Sequence, residues 1–333
     1  MDRADRVLDR ARRVLDRAGR VVDRARRVLD RAPTEPTASW LGARQAIALS
    51  GTRLAGMTID SDGFAAPAAL VEHARRFQAE GGTPATPRVA ATVLLLRPTD
   101  ADFEVYVIRR VAAMTFGGMY AFPGGGVDRS DSEAHLDWAG PTPGEWADRL
   151  GVAPQAAQAV VCAAAREVFE EAGVLLAGPN RETVVGDVSG DDWEAARQDL
   201  EGRRLGFAAL LADRQLTLRS DLLLPWSRWI TPEFEPRRFD TYFFIVLLPA
   251  GQRTRDVSGE ADHTLWIRPA DALARAQAGE LTMLPPTVVT LAQVAAAGDL
   301  AGVARAAADR DAASPVTPRL DLPPDGEPRF VLG

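Results

Sequence analysis

The sequence predicts an α+β protein built on a mixed sheet, and three observations carry that reading. Two neighbouring segments, VAATVLLL at 89–96 and DFEVYVIRR at 102–110, have the β-branched content and alternation of strands, with Asp100–Ala101 as the turn of a hairpin. A segment at about 155–172 has helical periodicity and follows a loop-rich region. Further strands are expected at 181–188, 226–231 and 241–248, so strands and helices do not alternate strictly, which favours a layered sandwich over a doubly wound sheet.

The elements follow in order. Residues 2–32 repeat every seven positions as DRADRVL, DRARRVL, DRAGRVV, DRARRVL and DRA. Ala4, Leu8, Ala11, Leu15, Ala18, Val22, Ala25 and Leu29 fall at alternating spacings of three and four, as a coiled-coil seam would. Two readings stay open: a helical extension that self-associates or docks on a partner, and a solvated Arg-rich helix. Alanine buries little surface at a seam and Gly19 weakens the middle. Residues 33–87 form a linker (PTEPTA at 33–38), a short apolar stretch (Ala46–Leu49), a helix from about Pro67 to Ala79 and a boundary at GGTPATP. The main domain is expected over 88–300, closing on a helix at 269–278, and 301–333 reads as a polar, proline-bearing tail.

Composition narrows the class of function. The net charge of −7 disfavours a nucleic-acid binder, which needs surplus Lys and Arg against phosphates, yet leaves room for a phosphorylated small molecule whose charge bound cations offset. No run of about 18 apolar residues suggests a membrane span. The single cysteine, Cys162, allows no intramolecular disulfide, and a reducing, cytoplasmic setting is the expectation.

The chemistry concentrates in the helix at 155–172. At about 100° per residue, Val161, Ala164, Ala165, Val168 and Phe169 gather on one arc and Arg166, Glu167, Glu170 and Glu171 on the other. Glu167 neighbours both Glu170 and Glu171 at spacings of three and four, and all three lie near a helix C-terminus, where the macrodipole disfavours negative charge. Arg166 can pair with Glu170 but cannot neutralise three carboxylates. Either the arc is a solvated surface, or it holds a hard divalent cation, since Mg²⁺ and Mn²⁺ prefer carboxylate oxygen. Upstream, AFPGGGVDRSD at 121–131 supplies serial glycines that let backbone approach a ligand closely.

Together these segments resemble the Nudix box: a glycine, five residues, an acid, seven residues, then REUxEExGU with U apolar. Gly125 is the opening glycine, Asp131 stands at the acidic position usually held by Glu, and Arg166, Glu167, Val168, Glu170, Glu171, Gly173 and Val174 fill the second half. Between Asp131 and Arg166 lie residues 132–165 instead of seven, an insertion (about 132–158) rich in Gly, Pro, Trp and acids. Such an excursion is compatible with the fold because loop-closure entropy grows slowly. It makes Trp138, Trp146 and His135 candidates for a lid or substrate wall. An interrupted box, with PWSRWITPEFEPRRFDTYFF (225–244), LWIRPADAL (265–273) and LPPT (284–287), is similar to coenzyme A diphosphatases of the peroxisomal type.

The resemblance implies a Nudix α/β/α sandwich and a hydrolase that cleaves a pyrophosphate linkage in a small molecule. It implies Mg²⁺ or Mn²⁺ held by Glu167, Glu170 and Glu171, helped by a carbonyl of Gly124 or Gly125, with Arg166 orienting the carboxylates. The general base is either a box glutamate or a later one, for which Glu260 is the candidate; a plain surface acid is the competing reading. Arg109, Arg110, Arg237 and Arg238 are candidates for phosphate contacts, because a guanidinium binds phosphate bidentately. Coenzyme A or its acyl esters head the substrate list. ADP-ribose, other nucleotides and a non-enzymatic Nudix-fold binding module are the alternatives; the last usually lacks box carboxylates, and all three are present.

Overall fold

The computed structural model describes residues 68–332, apart from 101, 113–116, 133–135, 257–258 and 324–326, together with three short strands between residues 52 and 65. The heptad repeat, the linker, Ala46–Leu49 and His135 lie outside the described residues. In chain order the elements begin with β1 (Thr52–Leu54), β2 (Met57–Asp60), β3 (Gly63–Ala65), α1 (Ala68–Ala79), β4 (Arg88–Pro98) and β5 (Phe103–Arg110). The glycine segment and the insertion supply β6 (Tyr120–Ala121), β7 (Gly124–Gly126), α2 (Arg129–Ser132), β8 (Trp138–Ala139) and α3 (Pro143–Leu150). Then come α4 (Pro154–Ala172), β9 (Ala177–Gly178), α5 (Asp191–Glu201), α6 (Phe207–Asp213), β10 (Thr217–Arg219), β11 (Leu224–Ile230), β12 (Phe239–Leu247) and β13 (Ala261–Ile267). The chain closes with α7 (Pro269–Gln277), α8 (Pro285–Ala296), α9 (Leu300–Ala308), β14 (Pro315–Val316), β15 (Pro318–Asp321) and β16 (Arg329–Leu332).

The central sheet runs β13-β5-β4-β12-β11-β14, with β6 on β5 and β7 on β4. It is mixed: β4 and β12 are parallel, whereas β4–β5, β5–β13 and β11–β12 are antiparallel. Alternation along the strands builds the sandwich. Ala91, Val93 and Leu95 of β4, Tyr106 and Ile108 of β5, and Phe244 and Val246 of β12 join the core under α3 and α4. Leu94 and Leu96, Val105 and Val107, and Phe243 and Ile245 face the opposite core with α7, α8 and α9. The expected α+β sandwich with a mixed sheet is what the chain forms.

Helix α4 starts with Pro154 in its first turn, where a missing N–H costs nothing, and ends at Gly173 in the left-handed conformation (φ 65°). Both of its arcs are buried, the charged one included.

Three expectations need correction. No strand forms at 181–188: the Asn180 side chain accepts the amides of Glu182 and Thr183 in a turn, the Val185 amide makes a single bond to the Ala177 carbonyl of β9, and the Gln252 side chain bridges Leu175 and Val185. The supposed polar tail carries α9 and two strands that complete a second sheet, β1-β2-β3-β16-β15, in which Phe330 is buried. Trp146 is not a lid residue: it is fully buried, its Nε1 donates to Ser220 Oγ at 3.2 Å, and its ring meets Phe244 edge-on at 5.9 Å. Among the described residues no single helix is long and apolar enough to cross a membrane.

Candidate active site

Strand β7 lies on β4 with Gly124 opposite Thr92 and Gly125 opposite Ala91, which brings the glycines against α4. The approach is too close for side chains. A Cβ on Gly125 would stand 2.6 Å from Glu167 Oε1, and one on Gly124 2.5 Å from the Ala91 carbonyl oxygen. With that space left open, the Gly124 amide donates to Glu171 Oε2 at 2.6 Å.

Asp131 is the hinge between the two halves of the box. The short helix α2 packs on α4, and the buried Asp131 carboxylate accepts from Arg166 Nε and Nη2, both at 3.1 Å. Its own position is fixed by the Asp128 amide at 2.8 Å. The 34-residue interruption therefore leaves and returns without displacing this carboxylate. Arg166 also donates to Glu167 at 2.8 Å, to both Glu170 oxygens at 3.2 Å and to the Gly126 carbonyl at 2.9 Å. One guanidinium thus organises Asp131, Glu167 and Glu170 together.

Electrostatically the cluster is under-neutralised. Burial pushes the Glu167 carboxyl up to about 8, and Glu170 and Glu260 add to this against the pull of Arg166. Burial and Glu167 hold Glu171 well above the usual carboxylate range, opposed by the Gly124 amide and Arg110. Glu170 is raised, chiefly by burial. Burial also works against the Arg166 charge, but Glu167 and Asp131 outweigh it and keep the guanidinium protonated.

Among the described residues no three His, Cys, Asp or Glu side chains form a closed ligand set as they stand, because Arg166 lies between Glu167 and Glu170 and Glu171 is turned to Gly124. The donors nonetheless suit a hard divalent cation. They are three buried carboxylates on adjoining turns, all oxygen, with more negative charge than one guanidinium offsets.

Glu167, Glu170, Glu171, Gly124, Gly125 and Glu260 all line one cavity of about 650 Å³. The arginines divide. Arg110 lines the cavity, whereas Arg109, its neighbour on β5, turns outward to Asp262 at 2.6 Å with 40% of its side chain exposed. Arg238 is buried away from the lining and donates to the carbonyls of Thr231 and Ala85 at 3.0 and 2.9 Å, so it ties chain segments together. Arg237 also lies outside the lining. Sequence reading missed Arg203, which lines the cavity and reaches Asp128 at 3.3 Å. It stands in a left-handed turn (φ 55°) after α5, and nothing in the GRRLG segment signals its direction.

A mixed sheet between helical layers, with a glycine strand abutting a helix of buried carboxylates, defines the architecture of a Nudix-fold protein. The model of the NUDT19 Nudix domain matches residues 144–294, a stretch that begins inside the insertion, so β7 and Asp131 precede it. The chain is 25% identical over 228 residues to the acyl-coenzyme A diphosphatase NUDT19 of Xenopus laevis, covering 58% of this chain and 60% of that protein. It is 29% identical over 250 residues to the acyl-coenzyme A diphosphatase NUDT19 of Homo sapiens, covering 61% and 64%. The chain thus spans less than two thirds of the length of these relatives. The crystal structure of a NUDIX hydrolase from Alicyclobacillus acidocaldarius superposes with a TM-score of 0.55 at 29% identity, covering 69% of this chain and 99% of that one. The chain has the Nudix fold and resembles the NUDT19 branch of that superfamily. Nudix hydrolases generally use divalent metal ions.

Proposed function

We propose that this chain is a metal-dependent pyrophosphohydrolase, in which water attacks a phosphorus of a diphosphate joined to another group. The observation that carries the reading is the buried, under-neutralised set Glu167, Glu170 and Glu171 held against the glycine strand. These residues would hold one to three Mg²⁺ or Mn²⁺ ions, with a carbonyl of Gly124 or Gly125 as a further oxygen donor. When bound, such ions neutralise the diphosphate and lower the pKa of a water molecule.

The chain's own groups do the rest. Arg166 sets the directions of Glu167 and Glu170, and the Gly124 amide sets that of Glu171. Glu260 lines the same cavity close enough to raise the pKa of Glu167 and Glu171, which suits it to accept the proton of the attacking water. Arg110 is the phosphate contact from the sequence-selected arginines that lines the cavity, and Arg203 joins it.

Coenzyme A and its acyl esters are the proposed substrates, supported by the names of the relatives, with 3′,5′-ADP and 4′-phosphopantetheine (or its acyl thioester, from an acyl substrate) as products. A panel of pyrophosphate compounds, including ADP-ribose and dinucleoside polyphosphates, with Mg²⁺ or Mn²⁺ and product identification tests this. Hydrolysis of the coenzyme A compounds to 3′,5′-ADP and the phosphopantetheine that carries whatever acyl group the substrate had is expected. Inactivity across the panel with either metal would overturn the enzymatic reading.

A further inference from the structure

The cavity extends well past the carboxylates. Its floor follows one cross-strand row: Gly126 of β7 is opposite Ala90 of β4, Ala90 pairs with Thr241 of β12, and Thr241 with Trp229 of β11. All four residues line the cavity. Three strand spacings separate Gly126 from Trp229, about 14 Å. The walls at this far end come from Trp229, Phe234, Phe330 and Leu70. Phe234 and Phe330 stack with centroids 6.1 Å apart and rings inclined by 30°. Phe234 is itself held by His73 of α1, whose Nε2 lies 2.9 Å from the Phe234 carbonyl oxygen. Leu70 and Phe330 belong to α1 and β16, outside the matched stretch 144–294. Elements outside the matched stretch therefore shape one end of the cavity.

We propose that this end is a subsite for the aliphatic tail of a substrate whose diphosphate lies over the carboxylates, with Phe330 as a specificity-determining residue. The inference rests on the pyrophosphohydrolase reading. A pocket bordered by aromatic and aliphatic side chains selects ligand by apolar burial. A nucleobase fits less well. It is joined to its phosphate through a single sugar, whereas the subsite begins three strands away, and its polar edges would need partners. A flexible arm ending in a hydrocarbon chain meets both conditions.

The test compares coenzyme A with decanoyl-coenzyme A as probes on the full chain, with two readouts. One is kcat/KM with Mg²⁺. The other is equilibrium binding in chelator, followed by tryptophan fluorescence, to which Trp229 reports. The expected result is tighter binding of the decanoyl compound, and a loss of about tenfold in its preference over coenzyme A in Phe330→Ala, by both readouts. Phe330→Leu, which keeps an apolar side chain, should retain most of the preference. Leu70→Gln, on a different element, should reproduce the loss if Phe330→Ala fails to fold. Hydrolysis of both probes at equal efficiency, with no change of ratio in Phe330→Ala or Leu70→Gln, would overturn the subsite and leave the hydrolase reading standing. Phe330-dependent binding of the decanoyl compound without hydrolysis of any diphosphate would sink the hydrolase reading and support the subsite. Absence of binding by either probe overturns the subsite.

Discussion

At the scale of single residues, the site is governed by the mismatch between the charge α4 buries and the charge available to balance it. Glu167 illustrates the consequence. Its carboxyl has an ordinary pKa of 4.5 in the unfolded chain and is pushed up to about 8 by burial in the folded one. A carboxylate raised in this way stabilises the fold fully only below its unfolded pKa, and that stability is lost as pH rises through the folded value. The metal-free protein should therefore show a melting temperature that falls between about pH 5 and pH 8. Added Mg²⁺ should raise the melting temperature more at the upper end of that window than at the lower, because a ligand that binds only the folded state stabilises it and needs ionised carboxylates. Thermal unfolding with chelator and with Mg²⁺ across the window checks this. A Mg²⁺ effect that grows toward low pH would contradict the assignment of Glu167 and its neighbours.

At the scale of elements, the arrangement depends on β7 and α4 touching, and on the insertion between them folding as part of the core. Trp146 of α3 is fully buried against Phe244, with its indole N–H satisfied by Ser220. Trp146→Ala should cost about 3–5 kcal/mol, a fall in melting temperature on the order of 10 °C. Calorimetry or a thermal melt checks it; a variant that melts like the parent but changes substrate affinity would restore the lid reading. The sequence made α4 legible because its glutamates and glycine stand at fixed spacing within one helix, where 3.6-residue geometry converts sequence into position. It did not disclose the place of Trp146, since a Gly- and Pro-rich stretch reads alike whether it loops into solvent or packs inward. The same limit applies to Arg109 and Arg110. Strand alternation says that the two diverge, but only the tertiary fold says which faces the cavity.

For the whole molecule, two regions outside the matched stretch stand in different relations to the site. The sheet β1-β2-β3-β16-β15 reaches the cavity through Phe330, and its existence was illegible because β16 pairs with a strand more than 250 residues earlier, Gly63–Ala65, without any local signal. The heptad repeat at 2–32 contains none of the candidate site residues. A chain lacking residues 1–32 should hydrolyse its substrate at a rate within about twofold of the full chain, as expected of a change that touches no candidate site residue. Steady-state kinetics of the truncated protein checks this, and a loss of activity would tie the repeat to the chemistry.

The central claim is that the buried carboxylates of α4 perform the chemistry. Glu171→Gln tests it most directly, because the amide is nearly isosteric and its oxygen can still accept the Gly124 N–H, so the change removes charge while keeping shape. With coenzyme A as substrate and saturating Mg²⁺, kcat should fall by about a hundredfold or more, since even residues that merely support a metal site cost 10–100-fold when lost. The thermal melt should show a folded protein. A folded Glu171→Gln variant that keeps near-parental kcat would contradict the account.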